Sequence, residues 1–342
     1  MTEDTRSTEA RVAKPDWYAD LARYGQADRR RATWQLVNTV IPYLLLWALM
    51  VYTVRQGTPY WITLALTVVA SALLVRIFIF FHDCCHGAFF PSRQANRMWG
   101  YITGVLTLTA YDDWRHTHAI HHATAGDLDR RGVGDVWTLT VDEYRAASPG
   151  KRFGYWLYRN PLFMFGIGPL YSFVIGHRFP SKGARKRERA SVIVTNLALL
   201  AVVVAASLTI GLWTYLSIQL PILVIGGAAG LWLFYVQHQF EGVYWARYEE
   251  WDMMRAALEG SSYYKLPKVL QWCTGNIGLH HIHHLRPRVP NYRLQQCYDS
   301  IPALQAVRPV TLGESLKSLR MRLWDEERQQ MVSFQALRKP HL

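Results

Sequence analysis

The chain contains little cysteine and comparatively few acidic residues. Its four cysteines, at positions 84, 85, 273 and 297, form no CxxC pair, so neither a thiolate zinc site nor a dithiol redox motif is expected. The sequence also lacks a glycine-rich dinucleotide fingerprint and an internal repeat. Acidic residues number 25 against 38 lysines and arginines, which gives a net charge of +13. Because this positive charge flanks apolar runs, it argues against nucleic-acid binding.

The apolar half of the composition is concentrated in long runs that are almost free of charge. A membrane-spanning helix needs about 20 consecutive apolar residues. Four runs reach that length, and only the second contains a formal charge, Arg76, which could pair with Asp83 or extend toward the headgroups. The predicted spans are residues 34–53, 61–81, 192–211 and 218–236. Two weaker stretches, 98–110 and 161–176, are predicted to be interfacial or re-entrant.

The distribution of lysine and arginine predicts the orientation of these spans. Arginines 29–31 precede the first span, and five basic residues between positions 182 and 189 precede the third. The short links on the other side contain only Arg55, so both termini should be cytoplasmic in a plasma-membrane protein. We predict a polar, partly disordered segment at residues 1–33 and one membrane domain at 34–342.

Three histidine clusters carry the strongest functional signal. Residues three or four apart share one face of a helix, and this spacing selects eight imidazoles. They are His82 and His86, then His118, His121 and His122, then His280, His283 and His284. His116 and His281 fall off these faces. Asp112 and Asp113 are predicted to cap the helix of the second cluster, and Gly126 is predicted to end it.

The predicted topology brings all three clusters to one side of the membrane, together with His238 at the end of the fourth span. Eight or nine imidazoles are more than one ion requires, so the pattern predicts a site for two metals. Neutral nitrogen donors favour iron over copper or zinc for oxygen chemistry, although a di-zinc hydrolase remains an alternative. The predicted fold class is therefore an all-α membrane protein with four transmembrane helices and a cytoplasmic helical cap that holds a di-metal site.

These motifs resemble those of the integral-membrane fatty acid desaturases, and most closely the bacterial acyl-lipid desaturases. The similarity extends from about residue 76 to 298. It rests on HDCCH at 82–86, WRHTHAIHH at 114–122, GDLDRRG at 126–132, WLFYVQHQFE at 232–241 and NIGLHHIHHL at 276–285. Cys85 departs from the common HDCGH form, and its added side chain is expected to be tolerated if it faces away from the metals.

The resemblance implies that the eight box histidines bind two irons and that His238 completes their ligand shell. In some relatives an asparagine contributes through water, and Asn276, one turn before His280, is the candidate counterpart in this chain. The implied reaction is O2-dependent formation of a cis double bond in the acyl chain of a membrane lipid. Its electrons would come from an external donor such as ferredoxin or flavodoxin, since the chain also lacks the HPGG stretch of a fused cytochrome b5 domain. Carboxylates that could orient the ligands are Asp83, Asp127, Asp129, Asp135, Glu241 and Glu259.

Two alternatives stay open. A hydroxylase or ketolase with the same histidine boxes would insert oxygen instead of forming a double bond. A histidine-rich membrane metal sensor or transporter would need polar groups deep in several spans, and beyond Arg76 the spans contain almost none.

Overall fold

The computed structural model describes residues 15–338, which are predominantly helical. The α-helices are α1 (Trp17–Tyr24), α2 (Arg29–Arg55), α3 (Tyr60–Cys85), α4 (Arg93–Leu106), α5 (Tyr111–Thr124), α6 (Val141–Ala146), α7 (Pro149–Tyr158), α8 (Gly168–Leu170), α9 (Lys186–Thr209), α10 (Leu212–His238), α11 (Met253–Leu258), α12 (Lys268–Cys273), α13 (His280–Leu285), α14 (Asn291–Ser300), α15 (Pro302–Gln305) and α16 (Leu312–Ser315). The expected helical class is confirmed.

Short strands accompany these helices. They are β1 (Leu139–Thr140), β2 (Tyr263–Lys265), β3 (Pro309–Thr311), β4 (Leu323–Asp325) and β5 (Gln330–Val332). β1 and β4 pair in parallel, β4 and β5 pair antiparallel, and β2 and β3 form a separate parallel pair. The sequence did not predict them, because two or three residues are too few to show an alternating pattern.

Helices α2, α3, α9 and α10 are long and apolar enough to cross a membrane, which confirms the four expected membrane helices. The bounds of all four differ by several residues from the apolar runs that predicted them. Arginines at the start of α2 and histidine at the end of α3 continue those two helices beyond the apolar residues. At the ends remote from the histidines, a guanidinium nitrogen of Arg55 donates to the carbonyl of Thr209 at 2.7 Å, and the Tyr60 hydroxyl donates to the carbonyl of Ser217 at 2.7 Å.

Helix α3 is the central helix of the bundle. In the most apolar 18 residues of α3, 61% of the positions are buried, whereas the same figure for α9 is 11%. Helix α3 packs against α2, α4 and α10. Arg76 in α3 is buried, and it pairs with neither Asp83 nor the headgroup region. It donates to the Thr39 hydroxyl and the Trp272 carbonyl, and its guanidinium lies 4.2 Å from the Trp272 ring centroid. Neutral acceptors and an aromatic face therefore stabilise this buried cation.

The remaining segments surround the histidine end of the bundle. Residues 1–14 of the predicted N-terminal segment lie outside the described residues, whereas α1 is an ordered helix with Leu21 fully buried. The stretch predicted at 98–110 consists of the C-terminal part of α4 and the loop that follows it. The stretch predicted at 161–176 is a broken helix in which π-helical turns Phe163–Ile167 and Tyr171–Ile175 flank α8, and Pro169 packs closely against Gly227 of α10.

Candidate metal centre

All nine predicted histidines converge at one end of the helix bundle. α3 supplies His82 and ends so that His86 is its C-cap, because the following Gly87 adopts a φ of +64° that ends the helix. α5 carries the second box, α10 ends at His238, and the short α13 begins at His280. Helix α5 starts at Tyr111 with Ala110 as its N-cap, so the prediction that Asp112 and Asp113 cap it is wrong.

The nine imidazoles divide into two groups, in each of which the potential ligand atoms lie within 4.8 Å of one another. One group contains His82, His86, His118, His122 and His283, and the other contains His121, His238, His280 and His284. Neighbouring residues of a box join different groups because successive side chains on a helix point about 100° apart. Each HxxHH box therefore contributes to both groups.

The separations between ring nitrogens fit shared metal ions. Nε2 of His238 lies 3.1 Å from Nε2 of His121 and 3.0 Å from Nε2 of His280. In the other group, Nε2 of His122 lies 3.1 Å from His118 and 2.9 Å from His283. Two nitrogens that bind one ion at about 2.1 Å with a right angle between them are about 3.0 Å apart. The donor set therefore fits two ions.

The protonation states of these rings favour metal binding as well. Burial, reinforced by the neighbouring rings, lowers the pKa of His118, His122, His280, His283 and His284 well below the usual range. Neutral imidazole is the form that binds metals. The buried Nε2 of His86 has no hydrogen-bond partner among the described residues, which leaves its lone pair available.

Three of the rings are oriented by hydrogen bonds to their second nitrogen. Nδ1 of His121 lies 2.5 Å from a carboxylate oxygen of Asp135, and Nδ1 of His238 lies 3.1 Å from the Gly260 carbonyl. Nδ1 of His82 lies 3.2 Å from Asp83. An acceptor at Nδ1 fixes the proton there and directs the Nε2 lone pair toward a metal. Asp83 and Asp135 thus contact predicted ligands, as expected.

The other four candidate carboxylates contact arginine or lysine instead. Asp127 accepts from Arg130, Asp129 from Arg247, Glu241 from Lys317 and Glu259 from Arg255. None of these four contacts a box histidine among the described residues, so the prediction that they orient ligands is wrong.

Other candidates lie outside the two groups. Asn276 donates to the Asn291 carbonyl at 3.0 Å, and no metal-binding group includes it among residues 15–338. His281 is fully buried beside Tyr263 and Tyr298, and burial lowers its pKa to about 4. Neither His116 nor His281 belongs to the two groups of possible ligands within residues 15–338. Cys85 is buried with its Sγ 3.9 Å from the Tyr111 carbonyl, away from both groups.

A cavity of about 240 Å³ extends from the histidines into the helix bundle. His82, His118 and His280 are among the residues that line it. Apolar side chains of α3 and α10 and the broken helix at 163–178 line the rest, including Leu74, Phe78, Phe173, Leu223 and Leu233. Leu223 and Leu233 both line it and lie about 15 Å apart along α10, so the cavity is elongated along that helix.

Sequence reasoning missed three residues around this site. Trp114 lines the cavity and stacks on His118 with ring centroids 4.1 Å apart. His177 also lines the cavity, with Nδ1 3.3 Å from the Thr109 hydroxyl. Asn291 donates to Asp83 from its backbone nitrogen at 2.7 Å and its side chain at 2.9 Å. Trp114 is the first residue of the motif quoted at 114–122, although no role was predicted for it, and the other two belong to no motif.

Comparison with known proteins agrees with this geometry. The family model "Fatty acid desaturase" matches residues 58–310. The chain is 50% identical over 318 residues to a fatty acid desaturase of Bacillus subtilis (strain 168). The matched region covers 93% of this chain and 90% of the relative. The chain belongs to the fatty acid desaturase family.

More distant desaturases are similar over most of the chain. An sn-1 acyl-lipid omega-3 desaturase (ferredoxin) of Nostoc sp. (strain 36) is 24% identical, covering 84% of this chain and 75% of the relative. An endoplasmic-reticulum omega-3 fatty acid desaturase of Vigna radiata var. radiata is 27% identical, covering 73% of this chain and 63% of the relative. The chain is thus an enzyme of the desaturase family with a histidine cluster able to bind metal.

Proposed function

We propose that this protein is an O2-dependent di-iron desaturase that introduces a cis double bond into the acyl chain of a membrane lipid. The observation that carries the proposal is the position of the two imidazole groups beside a long, mainly apolar cavity that three of their histidines line. A hydrocarbon chain fits such a cavity because the lining excludes water and offers it apolar contacts. His82, His118 and His280 would then lie beside its methylenes.

The proposed ligands are the nine histidines, five for one iron and four for the other. Bound iron would supply the reductive activation of O2, which takes two hydrogens from adjacent methylenes and releases water. The ligands contain neither thiolate nor carboxylate, and their neutral nitrogens suit a redox metal better than a structural zinc site.

The side chains of the protein have the tasks of binding and orientation. Trp114 packs against His118 and Phe78 and would hold the acyl chain against the rings. Asp83, Asp135 and the Gly260 carbonyl would keep the Nε2 atoms of their histidines directed at the irons. Gly230 lines the cavity and has no atom within 4 Å of an added Cβ, so its hydrogen keeps the path open.

The charge distribution supports a plasma-membrane location with the histidine end cytoplasmic. Arg29, Arg30 and Arg31 begin α2, and Lys186, Arg187 and Arg189 begin α9, all at the histidine end. Arg55 alone carries positive charge at the opposite links. This asymmetry follows the rule that cytoplasmic loops are rich in lysine and arginine. Electrons would come from a cytoplasmic donor such as ferredoxin or flavodoxin, and the matched Nostoc desaturase has ferredoxin in its name.

The test is expression in a host that lacks this activity, followed by gas chromatography and mass spectrometry of membrane fatty acids with and without O2. We expect a new unsaturated chain only with O2. His121→Ala should abolish it, whereas His116→Ala on the same helix should not, because His116 belongs to neither group. A hydroxylated product, or no O2-dependent product across varied lipid supply, would contradict the proposal.

Metal analysis of the purified protein is the second test. We expect about two irons per chain, since one ion fits each imidazole group. Iron well below two per chain, or zinc in its place, would contradict the assignment of two irons.

A further inference from the structure

Asp83 is a buried carboxylate that forms no ion pair with a lysine or arginine among residues 15–338. One of its oxygens lies 3.2 Å from Nδ1 of His82, and its side chain is 2% exposed. Arg76, earlier on the same helix, donates to Thr39 and to the Trp272 carbonyl instead. A buried carboxylate needs donors that replace water. Other groups must therefore hold the second oxygen of Asp83.

Asn291 supplies those donors. Its backbone N–H and its side-chain amide both donate to the second carboxylate oxygen of Asp83, at 2.7 and 2.9 Å. Asn291 is fully buried and is the first residue of α14, so the positive end of that helix dipole also faces the carboxylate. Hydrogen bonds to an ionised group are stronger than those between neutral groups. The two bonds fix the Asp83 carboxylate and hence the oxygen that faces His82.

Further hydrogen bonds hold Asn291 itself. Its Oδ1 accepts from the side-chain amide of Gln35 on α2 at 2.9 Å, and its carbonyl accepts from the side-chain amide of Asn276 at 3.0 Å. Gln35 is buried as well. Asn276 has a φ of +59°, a left-handed conformation in which asparagine is enriched. The Asn291 amide therefore cannot turn away from Asp83 without breaking a second buried bond.

These bonds join the first membrane helix to the metal centre. They lead from Gln35 on α2 through Asn291 on α14 and Asp83 on α3 to His82. His82 belongs to the group of five imidazoles, and the other three residues belong to neither group. We call Gln35, Asn291 and Asp83 the amide relay.

The group of four imidazoles is supported differently. Its carboxylate is Asp135, which contacts His121 through one oxygen. Among the described residues the other oxygen accepts only from the backbone N–H of Gly132, at the long distance of 3.4 Å. The amide relay therefore supports one of the two imidazole groups and not the other.

We propose that Asn291 is a positioning residue for the iron held by the group of five imidazoles. It orients Asp83, which in turn directs Nε2 of His82 at the metal. Asn291 neither belongs to a metal-binding group nor lines the acyl cavity, so it acts through Asp83. This inference rests on the proposed function, because it takes iron as the bound metal.

The test is iron retention by Asn291→Leu during dialysis of the iron-loaded, detergent-solubilised full-length protein against a graded series of chelator concentrations. Leucine keeps the size of the side chain but removes its donor, so we expect one iron to bind about tenfold more weakly. In one chelator range the variant should retain about one iron per chain and wild type about two. Gln35→Met should act in the same direction by a smaller factor, because it frees Asn291 without removing the bond to Asp83.

A double variant shows which iron responds. Asp135→Asn weakens the iron held with His121, in the group of four. If Asn291 acts on the group of five, Asn291→Leu combined with Asp135→Asn should lose both irons in the chelator range where each single variant retains one. A double variant that still retains about one iron would show that both changes act on the same ion, and it would overturn the proposal.

Two controls separate positioning from general stability. Gln296→Leu changes an exposed side chain on the same helix and should retain both irons. Thr53→Val removes a buried hydrogen bond to Thr63 at the opposite end of α3. It should lower the Tm and leave iron retention as in wild type. An unchanged elution volume identifies variants that have folded, and Gln35→Met decides the question if Asn291→Leu does not fold.

Retention of both irons by the relay variants, or equal iron loss in Thr53→Val, would overturn the positioning role. That outcome differs from failure of the proposed function. If the relay variants lose one iron as expected but the wild-type protein forms no O2-dependent unsaturated chain, the desaturase reaction is wrong while the role of Asn291 stands. If wild type forms that product and Asn291→Leu retains both irons throughout, the role of Asn291 is wrong while the reaction stands.

Discussion

The contact between His121 and Asp135 gives the sharpest prediction about the metal centre. Nδ1 of His121 lies 2.5 Å from the carboxylate, whose side chain is 6% exposed. Asp135→Asn keeps the size and an acceptor oxygen but removes the charge. A hydrogen bond to a charged group contributes about 1.5–3 kcal/mol and a neutral one about 0.5–1.5 kcal/mol. The loss of about 1–2 kcal/mol corresponds to an affinity about 5 to 30 times weaker for the iron held with His121.

Only one of the two irons should respond, because His121 belongs to the group of four histidines and not to the group of five. The assay is iron content after dialysis against a graded series of chelator concentrations. We expect a chelator range in which Asp135→Asn retains about one iron per chain and wild type about two. Asp142→Asn is the control, since Asp142 is 83% exposed on α6 and contacts no histidine among the described residues. Equal loss of both irons, or wild-type retention, would refute the reasoning.

The remaining predictions concern the cavity, the core and pH. Gly230→Leu should lower desaturation at least about tenfold with iron content unchanged, because the leucine side chain would enter the cavity. Gly154→Leu is the control and should retain activity, since Gly154 also has room for a Cβ but lies outside the cavity. Equal activity of the two variants would contradict this prediction. Arg159→Met should lower the Tm by about 5 °C, because it removes the buried guanidinium that donates to Gln239 and to the Met321 carbonyl. Arg320 is exposed, so Arg320→Met should leave the Tm unchanged. Equal Tm values for the two variants would disprove this prediction. Burial lowers the pKa of His177 to about 4. Between about pH 6.5 and 4 its imidazole is therefore neutral in the folded protein, whereas the same imidazole binds a proton in the unfolded chain. Its stabilising contribution is complete above about pH 6.5 and is lost as the pH falls toward 4, so Tm should fall less steeply over this range in His177→Gln; parallel curves would contradict the assignment.

The sequence was sufficient to predict the helical class and the convergence of the nine histidines. Both follow from local patterns: apolar runs of spanning length, and imidazoles spaced for one helix face. The assignment of His121 and His122 to different groups was not predictable, because it depends on the rotation of α5 relative to α10 and α13 in the packed bundle.

Contacts between residues far apart in sequence account for the wrong predictions. Arg76 was expected to pair with Asp83 or to extend toward the headgroups, but its partners Thr39 and Trp272 come from α2 and α12. Asp127 and Asp135 looked equivalent in the sequence, yet only the latter folds back onto His121. The hydrogen bond from Asn291 to Asp83 joins residues 208 apart, and no local pattern indicates it.

The most direct test of the central claim is mass spectrometry of a deuterated lipid acyl chain, after incubation with the purified iron-loaded protein, reduced ferredoxin and O2. The account predicts a chain that has lost two deuterium atoms from adjacent carbons and gained no oxygen, and an unchanged chain without O2. A chain that has lost one deuterium and gained one oxygen, or product formation without O2, would contradict it.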